Sequence, residues 1–296
     1  MKSLSINPVL LKEAKVRMRG WKTPITIFIY NLVLMVVAYF ILKAARGDSG
    51  AKSLFMIYAV ISGIQFGLIT LIAPTLTAGA ISGEREKQTL DILLSTDMRY
   101  SSIILGKLSA SLSQVILLIV SSIPILSLVF VFGGIGFLDI IKLGLFYLVI
   151  AITLGSAGIF FSTVFKKTTV SNVMSYVTII FFYVVIFFIS VAYISIYVMP
   201  EYVMNNQQYS GTFWLHYLNP GIAFISLMFD QLGENFRRII PGLEVSSGGL
   251  QLWHINMIIN LAVSAILIFL SSYKINPKNR RIKKKKVKKV NDSRKV

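Results

Sequence analysis

Thr168 to Pro200 reads TTVSNVMSYVTIIFFYVVIFFISVAYISIYVMP and contains no charged residue. A helix crosses a bilayer with about 20 apolar residues at 1.5 Å rise each, so this run is long enough to span. It is too long and too continuous for a membrane-barrel strand, which alternates and needs only about 10 residues. Working outward, five further uncharged runs occupy 23–42, 53–83, 108–138, 143–165 and 245–273. Spanning helices are expected at about 24–42, 55–80, 109–132, 143–165, 170–198 and 254–273. The composition agrees: 55% of residues are hydrophobic and only 14% charged, with a mean hydropathy of +0.73. An ordinary soluble domain carries about 25% charge, so a water-soluble globule or a disordered chain is excluded.

The net charge of +18 is carried almost entirely by two ends: residues 1–24 hold +5 and residues 274–296 hold +11. Basic tails flanking an apolar body read as topology, and no nucleic-acid partner is expected. Of the 30 Lys and Arg, 24 fall on the side that holds both termini and 6 on the other, which places both termini in the cytoplasm. Trp21, Trp253 and Tyr273 fall at the expected interfaces. The tail tract RRIKKKKVKK is low in complexity, and anionic lipid is its expected partner. The apolar run after Lys22 continues past signal-peptide length without a small-residue cleavage site, so an uncleaved chain is expected.

Chemistry is sparse. There are no cysteines, which excludes thiol catalysis, zinc–cysteine sites and iron–sulfur clusters. The expected spans contain no charged residue, whereas ion-coupled carriers usually keep an ionisable group within the membrane. Gly106-Lys107 lacks the earlier glycine and the following Ser or Thr of a phosphate-binding loop. His216 and His254 read as polar anchors at the outer interface. Gly155-Ser156-Ala157-Gly158 reads as close helix packing. Gly63 and Gly67 form a GxxxG pair, suited either to packing between subunits or to packing within the chain. Asn31, Gln65, Gln114, Asn256 and Asn260 are expected to hydrogen-bond between helices, with pore lining as the alternative. In the outer segment 199–253, Asn219-Pro220-Gly221 breaks an uncharged stretch into two half-helices, expected as a re-entrant or interfacial hairpin.

The most informative segment is cytoplasmic. Residues 73–108 read APTLTAGAISGEREKQTLDILLSTDMRYSSIILGKL. Ser82 suits a helix N-cap, with Glu84 and Glu86 in the first turn, where the helix dipole favours acids. Leu90, Leu93 and Leu94 make one apolar face, while Arg85, Lys87 and Asp91 project elsewhere. A short amphipathic helix over 83–95, held between two spans, suits a lever pushed by a partner; a helix lying on the bilayer is the alternative. Glu84 and Glu86 are also placed to pair with Arg17 or Arg19.

This segment resembles the core of the ABC-2 type permeases, the membrane subunits of ATP-binding-cassette exporters. The residues that match are Pro74, Gly79, Ile81 to Glu86, Thr89, Leu90, Leu93 to Thr96, Ile104 and Gly106 to Leu108. The departures are Gln88, where glycine is common, and Asp97, where proline is common. The start, Asn7 to Glu13 with Arg17 and Arg19, is similar to the family's N-terminal amphipathic helix, and Tyr217-Leu218-Asn219-Pro220 to its segment before the last span.

The resemblance implies an all-α polytopic membrane protein: an amphipathic helix over 1–23, a six-span domain over 24–273, and a basic cytoplasmic tail over 274–296. It implies a prokaryotic cell membrane and a partnership with separate ABC ATPase subunits and a second permease subunit. ATP and magnesium would bind the ATPase and no cofactor this chain. Gly83, Glu84, Arg85, Glu86, Lys87, Thr89, Leu90, Leu93 and Leu94 would couple to the ATPase, with Lys12, Glu13, Arg17 and Arg19 as contacts of the N-terminal helix. The chain itself would be no enzyme; it would supply the path for export. Two alternatives are a sensory or resistance permease without bulk transport and a membrane-embedded enzyme.

Overall fold

A computed structural model describes residues 8–44, 51–96, 98–131, 136–198, 200, 213–232 and 250–276. The basic tail from 277, the stretches 199, 201–212 and 233–249, Asn7 and Asp97 lie outside the described residues. Every regular element among the described residues is helical. α1 (Pro8–Met18) leads by a short turn into α2 (Lys22–Ala44), followed by α3 (Ala51–Thr77). Two single turns, α4 (Ser82–Glu86) and α5 (Leu90–Leu94), precede α6 (Tyr100–Val131) and α7 (Phe137–Val164). The fifth span is α8 (Thr168–Ile180), a π turn at Phe181–Val185, α9 (Ile186–Tyr193) and a second π turn at Ile194–Val198. A 3₁₀ turn (Trp214–Leu218), α10 (Pro220–Gln231) and α11 (Leu252–Ile275) are the remaining elements among the described residues. Six of these helical stretches are long and apolar enough to cross a membrane. α6 starts at Tyr100, earlier than the expected span, because the helix continues past the apolar run towards the loop after α5.

α3, α6 and α7 form the inner layer, while α2, the fifth span and α11 leave most of their surface open. The core gathers Tyr58, Ile61, Ile69, Leu118, Leu143, Phe146, Tyr147 and Ile150, all fully buried. α3 and α7 cross closely where Gly158 lies against Thr77. A Cβ on Gly158 would stand 2.1 Å from Thr77 Oγ1 and 3.2 Å from the Ala78 nitrogen and the Pro74 oxygen. The GSAG stretch therefore serves close packing. Two of the amides act between spans: Asn31 Nδ2 donates to Ser121 Oγ at 2.9 Å and Gln65 Nε2 to Ser122 Oγ at 2.7 Å, whereas Asn260 Nδ2 donates to Asn256 of its own helix.

Asn219 explains the break in the outer segment. Its Oδ1 accepts from the Gly221 nitrogen at 2.8 Å and the Ile222 nitrogen at 3.2 Å, capping α10, whose first residue is Pro220. Its Nδ2 donates to the Tyr183 carbonyl at 3.1 Å, in the first π turn of the fifth span. Phe224 stacks on Phe66 of α3 with centroids 4.9 Å apart and planes 4° from parallel. At the far end Lys142 Nζ lies 3.3 Å from Asp230 Oδ2, and Gln251 also bonds Asp230. α10 thus packs on the bundle along its length. Gly63 faces Phe224 within the chain, whereas Gly67 has open space beside it.

Candidate functional site

The loop between α3 and α6 is built from three local devices. The first ends α4. The Thr89 nitrogen donates to the Glu84 carbonyl at 2.9 Å and the Gln88 nitrogen to the Arg85 carbonyl at 3.1 Å. This pair of bonds is a Schellman motif, and the motif needs a left-handed residue just past the helix end. Gln88 is that residue, with φ of 59°. Glycine adopts this conformation without steric cost, which accounts for glycine being common at this place in the resembling pattern. The single helix expected over 83–95 is therefore two turns separated by the motif. Ser82 is not the N-cap; it lies inside the first turn, and its Oγ donates to the Ala78 carbonyl at 3.0 Å.

The second device is an apolar footing. Leu90 is buried with Ala80, Ile81, Ile104, Leu108, Ile159 and Ile275, and Leu94 packs against the same cluster. Burying one leucine contributes about 1.5–3 kcal/mol. At Leu90, and in part at Leu94, the leucine face is thus turned towards the chain's own bundle. The face presented to solvent is instead Lys87, Gln88, Asp91 and Ile92, with Ile92 70% exposed.

The third device is a set of charge and dipole contacts. Lys107, 3% exposed, bonds Glu13 of α1 and lies 3.2 Å from Glu84 Oε1. Thr89 Oγ1 bonds the other Glu84 oxygen. A groove of about 460 Å³ runs beside this triad, lined by Val9, Lys12, Val16, Thr89, Ile92 and Leu93 among others. Arg85 donates to the Phe165 carbonyl at 2.7 Å and the Thr163 carbonyl at 3.3 Å. Glu86 accepts from the Thr168 nitrogen and from Thr168 Oγ1, both at 2.8 Å. Ser162 Oγ accepts from the Ile81 and Ser82 nitrogens, each at 2.8 Å.

The acids therefore find Lys107 and Thr168 as partners. Arg19 is exposed, and the Arg17 side chain lies outside the described residues. Ser162 and Thr168 are neighbours of the loop that sequence reasoning passed over, and Lys107, part of the resembling pattern, was not read as a partner of the acids. Lys107 carried a signal, as a lone cation in an otherwise uncharged helical stretch; Ser162 and Thr168 carried none.

A bundle with six helices able to cross a membrane, and a loop between α3 and α6 held to α6, α7, α8 and α11, defines a polytopic membrane protein. The chain belongs to the ABC-2 family of transporter proteins: the model of that family, described as ABC-2 family transporter protein, matches residues 8–275. No curated protein matches the chain.

Proposed function

We propose that the chain is the permease subunit of an ABC exporter, supplying the membrane path while a separately encoded ATPase binds ATP and magnesium. Membership of the ABC-2 transporter family supports a permease role. The direction, the second permease subunit and the prokaryotic cell membrane with cytoplasmic termini rest on the resemblance to exporter subunits and on the Lys/Arg asymmetry. Gly67, with open space beside it, is available to that second subunit.

The observation that carries the coupling role is the exposure of Ile92 on a loop otherwise fixed from below and from both sides. An isolated large apolar side chain on a rigid cytoplasmic projection is suited to a pocket on a partner. Lys87 and Asp91 flank it as rim charges, and the groove beside α1 continues the surface. The test is Ile92→Asp, which leaves the buried footing intact, whereas Leu90→Asp would damage the chain itself. Placing a carboxylate in an apolar pocket costs several kcal/mol unless it is paired. The variant should insert normally yet lose co-purification with the cognate ATPase and transport-linked ATP hydrolysis. Retention of both would refute the docking assignment.

A further inference from the structure

We propose that Arg85 and Glu86 are positioning residues that carry movement of the cytoplasmic loop into the fifth span by clasping the α7–α8 joint. The proposal rests on the coupling reading above and assigns the route that the movement takes.

The joint is only Phe165-Lys166-Lys167, and each helix end there leaves backbone groups without intrahelical partners. Arg85 satisfies the α7 side, placing a cation on carbonyls at the negative end of that helix. The α8 side begins badly by its own sequence. Its N-cap position is Lys167, which has no side-chain acceptor, and Lys166 and Lys167 put two positive charges at the positive end of the helix dipole. Glu86 supplies from another part of the chain both the missing acceptor and the missing negative charge. The motif's glycines fit the same contact. A Cβ on Gly79 would meet Thr168 Cγ2 at 3.2 Å, and one on Gly83 would lie 3.8 Å from Thr168 Oγ1. Ser162 returns two hydrogen bonds to the loop. Residues 79–86 are thus shaped to the joint.

The fifth span is the element that such a clasp can move. It leaves most of its surface open and contains two π turns, which interrupt regular helical hydrogen bonding. The contacts that Arg85 and Glu86 make with the joint are polar. Arg85 and Glu86 lie in the segment expected to couple to the ATPase, but their side chains are engaged by the joint, so their loss should spare insertion and ATPase binding while freeing the span from the loop.

The chain has no cysteine, so paired thiol probes report cleanly. Spin labels at Leu105→Cys in α6 and Val173→Cys in α8, both exposed sites, are measured in the complex with its ATPase, without nucleotide and with ATP and vanadate. Wild type should show a nucleotide-dependent distance shift. Arg85→Ala and Glu86→Ala should lose it at unchanged ATPase stoichiometry. Glu86→Gln, which keeps an acceptor for the Thr168 nitrogen, should retain about half. Amide exchange in the first turn of α8 should rise about fivefold in Glu86→Ala, the size of a lost N-cap. A shift that survives both alanine variants, or unchanged exchange, overturns the clasp alone. Loss of ATPase binding in these variants makes them docking residues and also overturns it. A wild-type complex with no nucleotide-dependent shift removes the coupling reading and this proposal together.

Discussion

Replacing Lys107 with Met tests the triad that joins α1, the α3–α6 loop and α6. The lysine is 3% exposed, between Glu13 at 18% and Glu84 at 32%. Methionine fills much of the space of the lysine stem but leaves two carboxylates facing a site with no cation. Breaking a buried ion pair by removing one partner costs about 3–5 kcal/mol. Glu84 is one-third exposed and able to turn towards water, so the lower end, about 3 kcal/mol, is the expected cost. A chain of this size loses about 2 °C of unfolding midpoint per kcal/mol, so Lys107→Met should unfold about 6 °C below wild type in detergent. The triple variant Glu13→Gln, Glu84→Gln, Lys107→Met removes the whole charged group. Replacing a complete buried ion group is often close to neutral, so most of the loss should return. Thermal unfolding followed by size exclusion distinguishes the cases. If Lys107→Met unfolds with the wild type, or the triple variant is no better than the single one, the triad does not hold the loop as argued.

Two further outcomes follow from backbone geometry. Gln88→Gly should raise stability by about 1 kcal/mol, because it relieves a left-handed non-glycine residue in the Schellman motif; a lower unfolding midpoint would count against that motif. Gly158→Ala should cost about 1–3 kcal/mol by overpacking the α3–α7 crossing, since the Cβ meets Thr77 with backbone close behind it; an unchanged midpoint would show that the crossing relaxes freely.

The spans and their number were legible in the sequence because a bilayer demands long uncharged runs, and such runs need no knowledge of what lies beside them. The helix start at Asn219 was legible as a break for the same local reason: an Asn cap and a Pro at the first position act within four residues. The loop was located, but its orientation was not. A leucine stripe defines a face without saying whether that face meets a partner or the chain's own bundle, and only the packing of α6, α7 and α11 turned Leu90 inward. Glu86 and Thr168 lie 82 positions apart and Lys107 and Glu13 lie 94 apart; no periodicity links residues at such separations. Their pairing depends on which helix ends the bundle brings together. Local chemistry therefore determined where this chain crosses, bends and caps, while tertiary contact alone decided what the α3–α6 loop grips and which of its side chains stay exposed.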